Sequence, residues 1–433
     1  MPSLRIESRK LSGRIFIQPS KSMAHRLILC ALLARGTSVI DNIVLSDDIR
    51  ATLGACQALG AGVSIEDSPR FANRKRILLS APGEIRLSRP EIDCMESGTT
   101  ARFIIPVSRL CADPVTLTGR GRLVKRPFDV YKSILPGKGV GFEDENGRMP
   151  IRLSGRLNPG EYELRGDVSS QFISGLLMAL PFLEGDSTIR ITGPLESRPY
   201  VEMTLDALHQ FGISVEHSED YRLFRIRGGQ KAEARSLAVE GDWSQAAFFC
   251  VLGAISGEVA IDGLSKASLQ GDRVILDFVR AMGADTRWEQ DTLLVRPGTL
   301  KGIEVDASQC PDLVPAVAVA AALCEGKSLI GNARRLRLKE SDRLSAVCSE
   351  INKIGGHVEE MEDGLVINGV GRFRGATVDG WNDHRIVMSL AIASSCCDGP
   401  MEINGYEAVS KSYPEFWDDF RSLGGRFDEQ HMG

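Results

Sequence analysis

No stretch of the 433-residue chain reaches the roughly eighteen consecutive apolar residues of a membrane-spanning helix. The opening MPSLRIESRK also lacks the apolar core of a secretory signal, so no membrane span and no export are expected, and a cytoplasmic setting is. Histidine is scarce, with six in the chain and no HExxH pattern, and the ten cysteines show no CxxC spacing. Apart from the neighbours Cys396 and Cys397 they lie scattered, which suits buried reduced thiols better than a disulfide framework or a metal site. A net charge of −5 speaks against general affinity for nucleic acid, because the basic residues would have to be gathered in one stripe to overcome the repulsion. What remains is soluble globular material, 43% hydrophobic and 25% charged, with the length for two domains or one elaborate one.

Self-similarity is abundant. SKSMAHRLILCALLARG runs on to ACQALGAGVSIED, DVSSQFISGLLMALPFLEG to DALHQFGISVEHS, and DLVPAVAVAAALCEG to SEINKIGGHVEEM. Each copy reads as a polar-capped apolar helix, a β-like run such as STIRITGP or KSLIGNAR, a second helix ending at a glycine, and another strand. The openings fall near Ser22, Ser97, Ser169, Asp242, Asp312 and Asp383, and the closing glycines are Gly60, Gly139, Gly212, Gly283, Gly355 and Gly424. The period is about 72 residues. A unit this small buries its helices poorly alone, but three packed about a pseudo-threefold axis, helices inside and sheets outside, would form one α/β globe. Six units make two globes, with the seam expected in the polar stretch from Gly228 to Ser236. An open solenoid is disfavoured because its last repeat should look atypical, and the last copy here does not.

The helix openings carry more than caps. Lys21, Ser22 and Arg26 stand at the mouth of an apolar helix, where unpaired N–H groups and the positive end of the macrodipole already favour an anion. ESGTTAR adds Gly98, Thr99 and Arg102, TGRGRLVKRP adds Arg122 and Arg126, and Ser169, Ser170 and Gln171 follow. The later half offers Asp312, then Lys339, Glu340 and Arg343 in LRLKESDR, His384 and Arg385 in NDHR, and Lys411 in SKSYPE. Lys339 and Arg343 stand four apart, so a helix would turn both to one side; taken alone, that is a solvated ion-pair face. Recurrence at corresponding points of both halves points instead to a cationic cleft between two globes, suited to a small polyanion.

PSKSMAHR, ESGTTAR, VSSQF, ESRPY, PDLVPA, LKESDRL, NDHR and KSYPEF, in this order along nearly the whole chain, closely resemble the EPSP synthase (3-phosphoshikimate 1-carboxyvinyltransferase) family. The resemblance implies a two-domain inverse α/β barrel of six βαβαββ repeats, three per domain, with residues 21–235 in one domain and 1–20 plus 236–433 in the other. It also implies a cytoplasmic, monomeric transferase of the shikimate pathway, acting on phosphoenolpyruvate and shikimate 3-phosphate with no metal, nucleotide, covalent enzyme adduct, nucleic acid or membrane. Carried onto this chain, Lys21, Ser22, Arg26, Ser169, Ser170, Gln171, Ser197, Tyr200, Asp312 and Lys339 hold shikimate 3-phosphate. Lys21, Gly98, Arg122, Gln171, Arg343, Arg385 and Lys411 hold phosphoenolpyruvate. Asp312 is the implied base at the attacking hydroxyl, Glu340 the proton donor to the enol methylene, and Lys21 the aid to phosphate departure.

The chain departs from the pattern in places. Glu96 stands where many relatives carry Asn and Arg335 where some carry an Asn that touches the shikimate phosphate, and both are left without a role. Relatives differ over which arginine before Pro127 is retained, and Arg122 is favoured over Arg126. Ser197 and Tyr200 also suit an ordinary turn, and His384 suits a residue that orients its loop. Three other readings stand behind this one. A related transferase of enolpyruvyl to a UDP-sugar carries a loop Cys that GRGRLVKRP lacks; a non-catalytic anion binder need not keep Asp312 and Glu340; and the glycines of GKGVGF end a helix rather than form a dinucleotide fingerprint.

Overall fold

The computed structural model describes residues 3–430 and divides into two compact units. One holds Lys21–Val239; the other joins the chain start, up to Ser20, to everything from Glu240 onward. The polar stretch expected as the seam belongs instead to the first unit. Ala232–Glu233 and Ser236–Ala238 both pair in parallel with the long strand Ala34–Ile43, which carries the boundary on to Glu240. Backbone pairing outranks a polar composition in deciding where a domain ends.

Among the described residues each unit contains three sheets. All six repeat one pattern, a parallel outer strand followed by two antiparallel neighbours. Strands Glu304–Asp306, Lys327–Gly331, Gly364–Asn368 and His357–Met361 show it in that order. In the unit from Glu240 onward, two places in the pattern are filled by the chain start. Gly13–Phe16 lies parallel to Val259–Asp262, and Ser3–Ile6 lies between Met401–Asn404 and Phe427–Gln430. The result is an α/β fold of mixed sheets.

Three apolar helices per unit form the centre: Lys21–Leu33, Gly98–Ser108 and Ser170–Ala179 in one, and Trp243–Ile255, Val314–Leu323 and His384–Ala393 in the other. They are apolar nearly all round, as helices buried on every side must be. Small residues bring them close. A Cβ on Gly175 would lie 2.6 Å from the Arg102 carbonyl oxygen, so only glycine lets these two helices meet. The partner helices, such as Asp47–Ala58 and Arg343–Lys353, are amphipathic and bury one face. All six closing glycines have left-handed backbone, with φ between 84° and 116°.

Four of the six expected openers cap their helices through side-chain oxygens: Ser97, Ser169, Asp242 and Asp383. Two do not. Ser22 lies inside the first turn of Lys21–Leu33, and Asp312 sits in a short turn, Pro311–Leu313, that precedes Val314–Leu323. Both carboxyl and hydroxyl are thereby left for contacts outside a cap, and for Asp312 those contacts define a site.

Candidate functional site

In the unit from Glu240 onward, the starts of the three buried helices converge on Asp312. Its Oδ1 accepts from Arg343 Nη1 at 2.7 Å and lies 3.4 Å from Lys339 Nζ, and its Oδ2 is 3.3 Å from Arg385 Nη2. Arg343 holds two further carboxylates, Glu340 at 2.7 Å and Asp383 at 2.9 Å, although its side chain is only 1% exposed. Arg385 donates to the Asp312 carbonyl oxygen at 3.1 Å and to Ser244 Oγ at 2.6 Å. Lys411 donates to the Asn382 carbonyl oxygen at 2.8 Å. That carbonyl belongs to the left-handed pair Trp381-Asn382, which brings the chain into the Asp383 cap. Backbone held in this region is strained for non-glycine residues, and the buried Glu350 secures it by accepting from Trp381 Nε1 at 2.8 Å.

The spacing of four between Lys339 and Arg343 does not place them on one helix. The helix begins at Arg343 behind an Asp342 cap, and Lys339 lies outside it in extended backbone. They meet because both reach Asp312, and Asp342 turns away to Arg337. Burial alone would raise the Asp312 carboxyl, yet Arg385, Lys339 and Arg343 together hold it well below the usual carboxylate range. Burial lowers the Lys339 ammonium despite that partner. Asp383, desolvated but beside Arg343, is likewise held low. In this largely buried cluster Asp312 and Asp383 are held in the charged form among Arg385, Lys339 and Arg343.

The unit Lys21–Val239 carries a second array at the starts of its own buried helices. Gln171 Nε2 donates to Thr99 Oγ1 at 2.8 Å, and its Oε1 accepts from Arg102 Nη1 at 2.7 Å. Ser169 caps the helix and Ser170 begins it. Lys21 pairs with Asp48 at 2.8 Å. Arg26 is 2% exposed; it donates to Thr204 Oγ1 and to the carbonyl oxygens of Ser22 and Tyr200. Three of the five donors on this guanidinium are thus spent on the protein, and its Cζ lies over the rings of Phe103 and Tyr200. Arg26 therefore sets the positions of Ser22 and Tyr200. Ser197 is buried with φ of 54°, a strained residue at the entrance to Arg198–Gln210.

Gly98 begins its helix beneath two guanidinium groups: a Cβ there would meet Arg126 Nη1 at 2.4 Å and Arg102 Nη1 at 3.2 Å. Arg122, the arginine favoured at this point, is exposed instead, because the turn Gly121–Lys125 carries it outward while Arg126 folds back and is buried. Glu96 lies near the same turn, its carboxylate filling the place that a side chain on Gly121 would take. Arg335 donates to the Ser308 carbonyl oxygen at 2.7 Å. Among the described residues no group of three or more His, Cys, Asp or Glu side chains is placed to hold a metal ion, and no helix is long and apolar enough to cross a membrane. All ten cysteines are free and seven are buried, burial pushing thiols such as Cys30 up to about 12.

The family profile described as EPSP synthase (3-phosphoshikimate 1-carboxyvinyltransferase) matches residues 6–420. A relative from Clostridium novyi named 3-phosphoshikimate 1-carboxyvinyltransferase is 45% identical, with all of both chains covered. Another of the same name, from Clostridium kluyveri, is 44% identical, again with all of both chains covered. The chain belongs to the EPSP synthase family. A solved EPSP synthase from Acinetobacter baumannii superposes on the whole chain with a TM-score of 0.78 at 26% identity. The chain is thus an enzyme of a transferase family, and its α/β architecture is that of solved EPSP synthases.

Reading the sequence as an EPSP synthase misses several participants in these arrays. Asp383, a helix cap by sequence, also grips Arg343. Thr99 and Arg102 read from the sequence only as part of a helix opening on the cationic cleft, not as substrate-holding residues, and Ser244 stands in none of the motifs. The available signal was position: each lies at or within four residues of the start of a buried helix.

Proposed function

We propose that the chain transfers the enolpyruvyl group of phosphoenolpyruvate to the 5-hydroxyl of shikimate 3-phosphate and releases phosphate. The hydroxyl oxygen bonds to the enol carbon as its proton leaves to Asp312, and Glu340 protonates the methylene. Glu340, left as a carboxylate, then takes a methyl proton back from the tetrahedral intermediate, the bond to the phosphate oxygen breaks, and Lys21 supports the departing charge. Shikimate 3-phosphate is held by Lys21, Ser22, Arg26, Ser169, Ser170, Gln171, Ser197, Tyr200, Asp312 and Lys339. Phosphoenolpyruvate is held by Lys21, Gly98, Arg122, Gln171, Arg343, Arg385 and Lys411. The observation that carries this reading is the gathering of Lys339, Arg343 and Arg385 on Asp312, with Glu340 on the same arginine, in a chain of this family. Helix starts supply further positive potential, and a desolvated anion needs cations in place of lost water. In the same proposal the two units are domains of three repeats each, joined as an inverse α/β barrel in a cytoplasmic monomer that uses no cofactor.

Phosphate release is expected only when both substrates are present, and it should survive excess chelator and thiol alkylation. Activity lost on chelation and restored by a divalent ion, or release with a UDP-sugar in place of shikimate 3-phosphate, would sink the reading.

The two arginines before Pro127 should separate cleanly. Arg122→Ala removes an exposed guanidinium, so the Michaelis constant for phosphoenolpyruvate should rise about tenfold with the melting temperature unchanged, as for one lost ionic contact. Arg126→Ala removes a buried one and should lower the melting temperature by several degrees. Steady-state kinetics beside a thermal melt reads both. An unaltered Michaelis constant in Arg122→Ala would remove that residue from the site.

A further inference from the structure

The helix Arg343–Lys353 carries two charged side chains on one face, two helical turns apart, each on a residue only 1% exposed: Arg343 and Glu350. Between them they hold both ends of the turn 379–383. Arg343 Nε donates to Asp383 Oδ2 at 2.9 Å. Seven residues on, Glu350 Oε2 accepts from the Asp379 N–H at 2.9 Å, and its Oε1 accepts from Trp381 Nε1 at 2.8 Å. Lys353 Nζ donates to both oxygens at 2.9 Å. Burial alone would raise the Glu350 carboxyl, yet the Asp379 N–H, the Trp381 indole and Lys353 hold it below the usual range, so it stays a charged acceptor. Between the two grips, Trp381 and Asn382 have φ of 53° and 50°. Asparagine visits this region readily, but a residue of tryptophan's size stays there only where its surroundings impose it. Here they are the indole bond to Glu350 and the Trp381 N–H bond to Asp379 Oδ1 at 2.6 Å. What the turn presents is the Asn382 carbonyl oxygen, which accepts from Lys411 Nζ at 2.8 Å.

We propose that Glu350 is a positioning residue that acts through Trp381 and Asn382, setting the carbonyl oxygen that places the Lys411 ammonium for phosphoenolpyruvate. The proposal rests on the function argued above, in which Glu350 has no part. Arg343 fixes only the Asp383 end of the turn. Once the Glu350 end lets go, Trp381 relaxes toward negative φ, and that rotation swings the Asn382 carbonyl oxygen away from Lys411.

Glu350→Gln, Trp381→Phe and each of these combined with Lys411→Ala test the clamp. In Glu350→Gln a donor faces a donor whichever way the amide turns, whereas Trp381→Phe keeps a ring and removes the indole N–H. Each should raise the Michaelis constant for phosphoenolpyruvate about fivefold to tenfold, the order of one hydrogen bond, with turnover at saturation changed by less than about twofold. In the Lys411→Ala background the same changes should move that constant by less than about twofold, because the side chain they position is gone. A merely structural role would lower the melting temperature and carry its full kinetic effect into that background. Equal effects in the two backgrounds, or single variants whose Michaelis constants stay within about twofold of the unmodified protein, would overturn the proposal. Crystal structures of the unliganded variants read it without turnover: in Glu350→Gln the Asn382 carbonyl oxygen should lie beyond hydrogen-bond reach of Lys411 Nζ, and a contact still near 2.8 Å would overturn it. Should Glu350→Gln fail to fold, Trp381→Phe, which leaves the carboxylate its bonds to Asp379 and Lys353, decides by the same readings. An inactive unmodified protein would refute the substrate reading while leaving the structural readout intact.

Discussion

Asp312→Asn is expected to lower turnover by about a hundredfold or more, with the Michaelis constants moving only a few fold. The amide keeps the volume but cannot take the hydroxyl proton. In the ligand-free protein this carboxylate is a poor base, because Arg385, Lys339 and Arg343 hold it well below its ordinary range against the opposing pull of burial. Anionic substrates would change that by drawing the same cations toward themselves, so Asp312 should become more basic once they are bound. The acidic limb of kcat should therefore lie at higher pH than the acidic limb of kcat/KM, since the first reports the complex and the second the free enzyme. Steady-state kinetics across pH 4.5–8 measures both. Near-normal turnover in Asp312→Asn at saturation would remove it as the base, and coincident limbs would remove the idea that ligands unmask it.

Arg343→Met should be the most damaging single substitution to the fold of its unit, at about 3–5 kcal/mol, because removing one member of a buried ionic group leaves the others uncompensated. Three carboxylates depend on this side chain: Asp312, Glu340 and Asp383. Asp383 is itself fully enclosed and also caps the helix that presents Arg385. Arg343→Lys should recover only part of the loss, because an ammonium cannot present the planar fork that serves several carboxylates at once. Urea denaturation at pH 7 gives the comparison; a change below about 1 kcal/mol in Arg343→Met would show that the array is solvated and weak. The pH dependence has a definite sign. The folded values of Asp312 and Asp383 are lowered, so their stabilisation is complete above the unfolded carboxylate range and disappears as pH falls through the folded values. Asp272 runs oppositely, its raised value making its charged form a burden above about pH 6. The penalty of Arg343→Met should accordingly shrink toward pH 4, as the stranded carboxylates become neutral.

The repeat was legible along the chain because each of its signals acts over a few residues. An apolar helix shows in its composition, a cap in one hydroxyl or carboxyl, and a helix end in a glycine that can turn left-handed, as all six do. The motifs that carry the family resemblance are local in the same way. What folding alone decided was which charges meet. Lys339 and Arg343 look like neighbours on a helix, but they are joined through Asp312, 27 and 31 residues away along the chain. Ser244 and Arg385 meet across 141 residues. Of two arginines four positions apart, the direction of one short turn buries Arg126 against Gly98 and leaves Arg122 in water. Periodicity and capping are properties of a helix by itself, whereas the pairing of buried charges depends on desolvation and on distances of about 3 Å, which exist only once helices from different repeats have packed.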